Sequence, residues 1–156
     1  MYSINLICDI LDYLDININK KISVYEIAFK FSYNKFYVMK LFKRELGISL
    51  INYINCLRIY NSIKCIQNTN DSFTKIALCN GFYSLEYFSE TFNKIIGVSP
   101  RIFQNYYKCR SKLSDKELYT VSYNWANLQN TINNITKYKK NKKPKGIPVL
   151  KRSIFD

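Results

Sequence analysis

At 156 residues and 18.5 kDa, the chain has room for one compact region of roughly 100–150 residues plus a tail. An apolar fraction of 47% with 16% aromatic residues supports a packed core and excludes global disorder, and no run reaches the roughly 18 uninterrupted apolar residues of a membrane-spanning helix. A formal net charge of +13 without a single histidine points to an anionic partner, excludes a Cys/His zinc site and removes the commonest general base, so an enzyme is not expected.

The N-terminus carries Asp9, Asp12 and Asp15 and no early Lys or Arg, which argues against a secretory signal and predicts a cytoplasmic protein. Cys8, Cys56, Cys65, Cys79 and Cys109 contain no C-x-x-C pair. They are expected as reduced structural cysteines, and neither a metal nor another cofactor is expected. Ile7, Ile10, Leu11 and Leu14 fall at i, i+3, i+4 and i+7, which predicts a leading amphipathic helix. Ser23-Val24-Tyr25-Glu26 is a capping box that opens a second helix, with Ile27, Ala28 and Phe31 pointing inward. Asn34 caps a third helix, whose apolar side is Val38, Leu41 and Phe42. Lys35, Phe36, Met39 and Lys40 are left facing out, and Gly47 stops the helix.

Ser49 opens a long helix to about Gln67, with Leu50, Tyr53, Ile54 and Leu57 as its inner stripe. A second unit starts at the Ser72 cap, runs through Ile76 and Ala77 and turns at Asn80-Gly81. Its final helix spans about Ser84 to Ile95. Phe82, Phe88, Phe92 and Ile96 face the core there, which leaves Leu85, Glu86, Ser89 and Glu90 outward. Gly97-Val98-Ser99-Pro100 ends that helix and starts another, since proline suits a first turn.

These two stretches repeat one another. Ser23, Ile27, Ala28, Ser32 and Tyr33 answer to Ser72, Ile76, Ala77, Gly81 and Phe82 at an offset of 49. After one inserted residue, Phe42, Arg44, Gly47, Ile48 and Ser49 answer to Phe92, Lys94, Gly97, Val98 and Ser99 at an offset of 50. A capped short helix, a tight turn, a second helix and a glycine stop form a helix-turn-helix unit, whose second helix enters the DNA major groove. The linker helix makes a rod of roughly 28 Å at about 1.5 Å per residue, comparable with the roughly 34–36 Å between successive major-groove faces. The predicted fold is therefore all-α, with two helix-turn-helix subdomains, at about 24–45 and 72–95, joined by a linker helix at about 49–67. A C-terminal extension follows.

Charge is uneven along the chain. Residues 20–64 hold nine basic against two acidic residues, residues 65–103 balance to zero, and residues 111–156 hold ten basic against three acidic. Basic charge on the first repeat and the tail suits double-stranded DNA, because neutralised phosphates release counterions.

Ile76-Ala77, Gly81-Phe82, Tyr87-Phe88-Ser89, Phe92 and Gly97-Val98-Ser99-Pro100 resemble the signature of the AraC/XylS family of bacterial transcriptional regulators. Ile27-Ala28, Leu41-Phe42-Lys43-Arg44-Glu45, Gly47, Tyr53 and Arg58 make the first half similar too, and residues 1–110 are assigned to the DNA-binding domain. The resemblance implies two recognition helices in neighbouring major grooves of an asymmetric site, bound by one monomer. It implies base-facing roles for Lys35, Phe36, Met39 and Lys40 in the first unit, and for Ser84, Leu85, Glu86, Ser89 and Glu90 in the second. Lys43, Arg44, Lys75, Lys94 and Arg101 are the phosphate candidates. Glu86 and Glu90 depart from the family pattern: they either repel phosphates or accept from cytosine N4. Compact stand-alone members, mostly activators that touch RNA polymerase, are the implied counterparts, with no small-molecule ligand.

The extension lies outside that resemblance. Ser114 and Glu117 make another capping box, and Leu118, Val121, Trp125, Leu128, Ile132 and Ile135 form a heptad-like seam. Tyr119-Thr120-Val121-Ser122-Tyr123 favours a strand instead, so residues 111–136 remain open between a helix and other structure, and dimerisation through the seam stays open too. Lys137 to Arg152 carries eight bases broken by Pro144, Gly146 and Pro148, which predicts a flexible basic arm over 137–156. A sequence-specific transcriptional activator is the favoured function. The alternatives are a non-specific or architectural DNA binder, and a protein-interaction adaptor with one active DNA-binding head.

Overall fold

The computed structural model describes residues 2–109 and 113–142, and every regular element among them is a helix. In chain order these are α1 (Tyr2–Asn17), α2 (Val24–Lys30), α3 (Lys35–Leu46), α4 (Leu50–Asn68), α5 (Phe73–Cys79), α6 (Leu85–Ile96), α7 (Pro100–Cys109) and α8 (Asp115–Lys142). The helix starts follow from local chemistry. Ser23, Asn34, Ser49, Ser72 and Ser84 each sit in extended backbone and accept a free N–H of the next turn through a side-chain oxygen, a contact that contributes about 1 kcal/mol. At Ser23 the box is complete, for the Glu26 carboxylate accepts the Ser23 N–H at 2.6 Å.

Two cores form, one per unit. Leu6, Ile7, Ile10, Leu11 and Leu14 of α1 close over Ile27, Ala28, Val38, Leu41 and Phe42. Phe82, Phe88 and Phe92 stack edge to face beside Ile76, Ala77, Ile96 and Phe103 in the second. The linker α4 serves both, giving Leu50, Tyr53 and Ile54 to the first core and Ile59, Ile63 and Ile66 to the second. Between the two stripes lies Arg58, buried, with Nε donating to the Ile18 carbonyl at 3.3 Å and Nη2 to that of Lys20 at 2.9 Å. Its guanidinium also lies 5.9 Å from the Phe82 ring centroid. The chain just before the first unit is thereby fixed to the turn of the second.

Gly81 completes this junction. It has φ +80°, and an added Cβ would stand 2.6 Å from the Ile18 carbonyl oxygen and 2.8 Å from that of Lys20. Only glycine tolerates both the backbone conformation and the approach.

The extension settles one open expectation and departs from another. The strand-favouring run Tyr119–Tyr123 is helical, as the first turns of a 28-residue α8. Long-range burial overrides propensity here, because Val121 and Leu128 enter the second core and Ile135 the first, at about 1.5–3 kcal/mol per large side chain buried. Trp125 stacks on Tyr60 at 5.6 Å, and Asn124 donates to the Ile96 carbonyl at the end of α6. Leu118, first in the predicted seam, stays exposed. Secondly, residues 137–142, expected in the flexible arm, are the last turns of α8. Lys139 pairs there with Asp12 and Asp15 of α1. Burial lowers its pKa, but the two carboxylates outweigh that and hold it above the ordinary lysine value. The remainder of the expected arm, residues 143–156, lies outside the described residues.

Among the described residues no helix is long and apolar enough to cross a membrane.

Candidate nucleic-acid interface

In the first unit, Asn34 Oδ1 accepts the Phe36 N–H at 2.8 Å and so sets the start of α3. Val38, Leu41 and Phe42 hold the helix against the core, and Gly47 stops it at φ 73°. The opposite face is open. Lys35, Phe36, Lys40, Lys43 and Arg44 are exposed, and Met39 is half-buried between them. Lys35 Nζ lies 4.9 Å from the Phe36 ring centroid. Arg44 is not a free cation, because its Nη2 pairs with the neighbouring Glu45 at 2.8 Å in a solvent-exposed contact.

The second unit presents different chemistry from the same helix length. Ser84 and Leu85, expected to face outward, also have structural roles. The Ser84 hydroxyl accepts the Tyr87 N–H as the α6 cap, and Leu85 is half-buried against the second core. Glu86 and Glu90 are exposed and Ser89 is half-buried. Hydrogen bonds from its own backbone N–H and from the Ser84 hydroxyl hold the Glu86 carboxyl below the usual glutamate range. That carboxylate sits where the unpaired N–H groups of a helix start favour negative charge.

The phosphate candidates of this half are all exposed but partly engaged. Lys75 pairs with Asp71 at 2.8 Å, Arg101 lies over the Phe73 ring at 5.7 Å, and Lys94 borders a cleft of about 400 Å³ with Glu90 and Thr91. A second cleft of about 450 Å³ opens between the units, bordered by Ile22, Ile51, Ile54, Arg58 and Tyr83. Asn55 Nδ2 donates to the Tyr87 hydroxyl at 3.0 Å and lines both clefts, tying α4 to α6.

The family model for the helix-turn-helix domain matches residues 25–106, which is both units and the linker between them. The transcriptional activator AarP of Providencia stuartii is 30% identical over 100 residues, 64% of this chain and 74% of AarP. The chain belongs to the AraC/XylS family. It is a DNA-binding transcriptional regulator of the AraC type. Two solved structures of the same fold are an AraC-type regulator from Chromobacterium violaceum, at 24% identity and TM-score 0.58 over 69% of this chain and 96% of that one, and the AdpA DNA-binding domain bound to a target DNA, at 15% identity and TM-score 0.63 over 67% and 94%. Other relatives are longer: the chain spans 37% of the regulator YbfP of Bacillus subtilis.

Within this AraC-type frame the sequence pattern missed the junction. Arg58 falls on the buried stripe of α4, at i+4 spacing with Leu50, Ile54, Ser62 and Ile66, whereas the helix's other cation, Lys64, is exposed; that register is the signal that reveals it. It also missed the exposed rings Tyr25, Phe29, Tyr33 and Tyr37, which flank the α2–α3 turn one or two positions from inward-facing residues.

Proposed function

We propose that this chain is a sequence-specific transcriptional activator that binds an asymmetric promoter site as a monomer, through α3 and α6. The observation that carries the reading is the doubling of one unit within a single chain. α3 and α6 are both 12 residues long, each has a side-chain cap, and each ends in a left-handed glycine. The 19-residue α4 separates them, and Arg58 and α8 tie the two units together. A fixed pair of unlike heads favours an asymmetric site, because a two-fold operator requires two copies of one surface.

In this reading Lys35, Phe36, Met39 and Lys40 face base edges in the first groove, and Glu86, Ser89 and Glu90 in the second. Lys43, Arg44, Lys75, Lys94 and Arg101 face phosphates, with the bases between 137 and 152 other than the Asp-paired Lys139 adding sequence-independent affinity. Activation is carried over from the name of AarP, and contact with RNA polymerase would be its route. The exposed Glu86 and Glu90 favour one second reading, in which α3 alone engages DNA and α6 faces a protein.

A footprint on duplexes selected by the full chain, with the mass of the complex measured in solution, tests the proposal. One chain protecting two unlike half-sites over about two helical turns is expected. A two-fold symmetric site bound by two chains overturns it.

A further inference from the structure

We propose that the first head selects thymines, through apolar contact of Phe36 and Met39 with the C5 methyl groups of neighbouring A·T pairs. The inference rests on α3 being a DNA-reading helix and deepens it by naming the base class.

Phe36 is 68% exposed in the first turn of α3, where no core residue covers it. Its backbone is pinned by Asn34 and its ring is held by the Lys35 ammonium at 4.9 Å. Around it the unit exposes four more rings in two stacked pairs, Tyr25 with Phe29 at 6.5 Å and Tyr33 with Tyr37 at 5.5 Å. A cleft of about 310 Å³ opens between the α2 rings and the Lys35–Phe36 edge of α3. A contiguous apolar patch of this kind marks an interaction surface rather than a scatter of single exposed side chains.

Charge identifies the occupant. Residues 20–64 carry nine bases against Glu26 and Glu45, and both acids are engaged, Glu26 in the α2 cap and Glu45 with Arg44. The patch is therefore apolar in its middle with Lys35 on its edge, and Lys40 is exposed further along the same helix. Duplex DNA has that same pattern in reverse, with phosphates bounding a groove in which the thymine methyl is the apolar group. The Phe36 ring and the Met39 thioether lie on one stripe at i and i+3, so they reach adjacent base pairs. In α6 the positions fifty residues on are Glu86 and Ser89, neither of which gains from a methyl. Selection for thymine is thus confined to one half-site.

The full chain is used to enrich duplexes from a random pool, and each thymine of the enriched duplex is replaced in turn by deoxyuridine. That change deletes one methyl and keeps the base pair. Two or three neighbouring uridines in one half-site are each expected to weaken binding about fourfold, the worth of one buried methyl-sized group. In Phe36→Ala that penalty should vanish at one position, and in Met39→Ala at its neighbour, whereas Lys40→Ala should keep both penalties while losing affinity. Phe36 makes no core contact, so an unchanged unfolding midpoint for Phe36→Ala is the fold control. A flat uridine scan with wild-type binding intact overturns the proposal and assigns the aromatic patch to a protein partner. A penalty that persists in Phe36→Ala overturns it as well. If no duplex is enriched, sequence-specific DNA reading fails first, and this inference falls with it.

Discussion

The two heads share a backbone plan, but their outer stripes carry different chemistry. Between the caps Asn34 and Ser84 and the stops Gly47 and Gly97, α3 and α6 correspond residue for residue at an offset of fifty. The inward positions match in burial: Val38 with Phe88, Leu41 with Thr91, and Phe42 with Phe92 are all buried. On the outer stripe, Phe36 answers to Glu86, Met39 to Ser89 and Lys40 to Glu90. The inner set holds a helix against its core and tolerates little change, because interiors are close-packed. Exposed positions carry no such restraint, so one duplicated scaffold bears two different surfaces. The turns differ as well. Tyr83 is the inserted residue that moves the offset from 49 to 50, and Ser32 at φ 60° stands where the second unit has Gly81 at φ 80°.

That last difference leads to the largest effect. Gly81→Ala would drive a Cβ into the Ile18 and Lys20 carbonyls and beside Arg58, in a conformation that L-residues avoid. A loss on the order of 2–4 kcal/mol in chemical unfolding is expected, and a loss under about 1 kcal/mol would show that the junction yields.

Next in size is the charge contrast on the outer stripe. Lys40→Ala should weaken binding to a selected duplex by about 1–3 kcal/mol if Lys40 donates to a guanine edge. The same substitution at its counterpart, Glu90→Ala, should tighten binding to every duplex alike, because it removes a repelled charge. Both effects are read by titration over single-base variants. A loss of affinity in Glu90→Ala at one base pair would instead mark cytosine readout and make the two heads equal partners.

Ser32→Gly is the milder mirror of the junction change. Ser32 is exposed in the left-handed region, where a non-glycine residue is strained by about 1–2 kcal/mol. Glycine relieves this but loses more backbone freedom on folding, about 0.5–1 kcal/mol. A net gain between about 0 and 1.5 kcal/mol in chemical unfolding is expected, with DNA affinity unchanged.

How much of this asymmetry the sequence discloses depends on the range of the interaction. Caps and stops are contacts within three or four residues, so α4 and α6 begin and end within a residue or so of their expected bounds, at Leu50–Asn68 and Leu85–Ile96. The core of each unit follows from periodicity, which is also local. Three other features have partners set by contacts across the chain, which local spacing does not disclose. Arg58 reaches back 40 residues to Ile18. Lys139 crosses 124 residues to Asp15. The seam of α8, readable as a pairing surface for a second copy, instead buries Val121, Leu128 and Ile135 against both cores of its own chain. Leu85, read as outward from spacing alone, turns inward because the first turn of α6 meets the second core.

The smallest expected effect separates the two helix starts by pH. Glu86 has its carboxyl pKa depressed by its own backbone N–H and by the Ser84 hydroxyl, whereas Phe36 at the matching position has nothing to titrate. A group whose pKa is lower folded than unfolded contributes stability that is complete above its unfolded value, about 4.3 for glutamate. That contribution is lost as pH falls through the lower folded value. Glu86→Gln should therefore unfold slightly more easily than wild type at neutral pH, and the gap between them should close as pH is lowered below about 4. Phe36→Gln should show a gap to wild type that does not vary over that range. Unfolding midpoints measured at a series of pH values decide it. A Glu86→Gln gap that persists into acid would mean the carboxylate is not held at the α6 start, which would leave it available to a base edge and reopen cytosine readout by the second head.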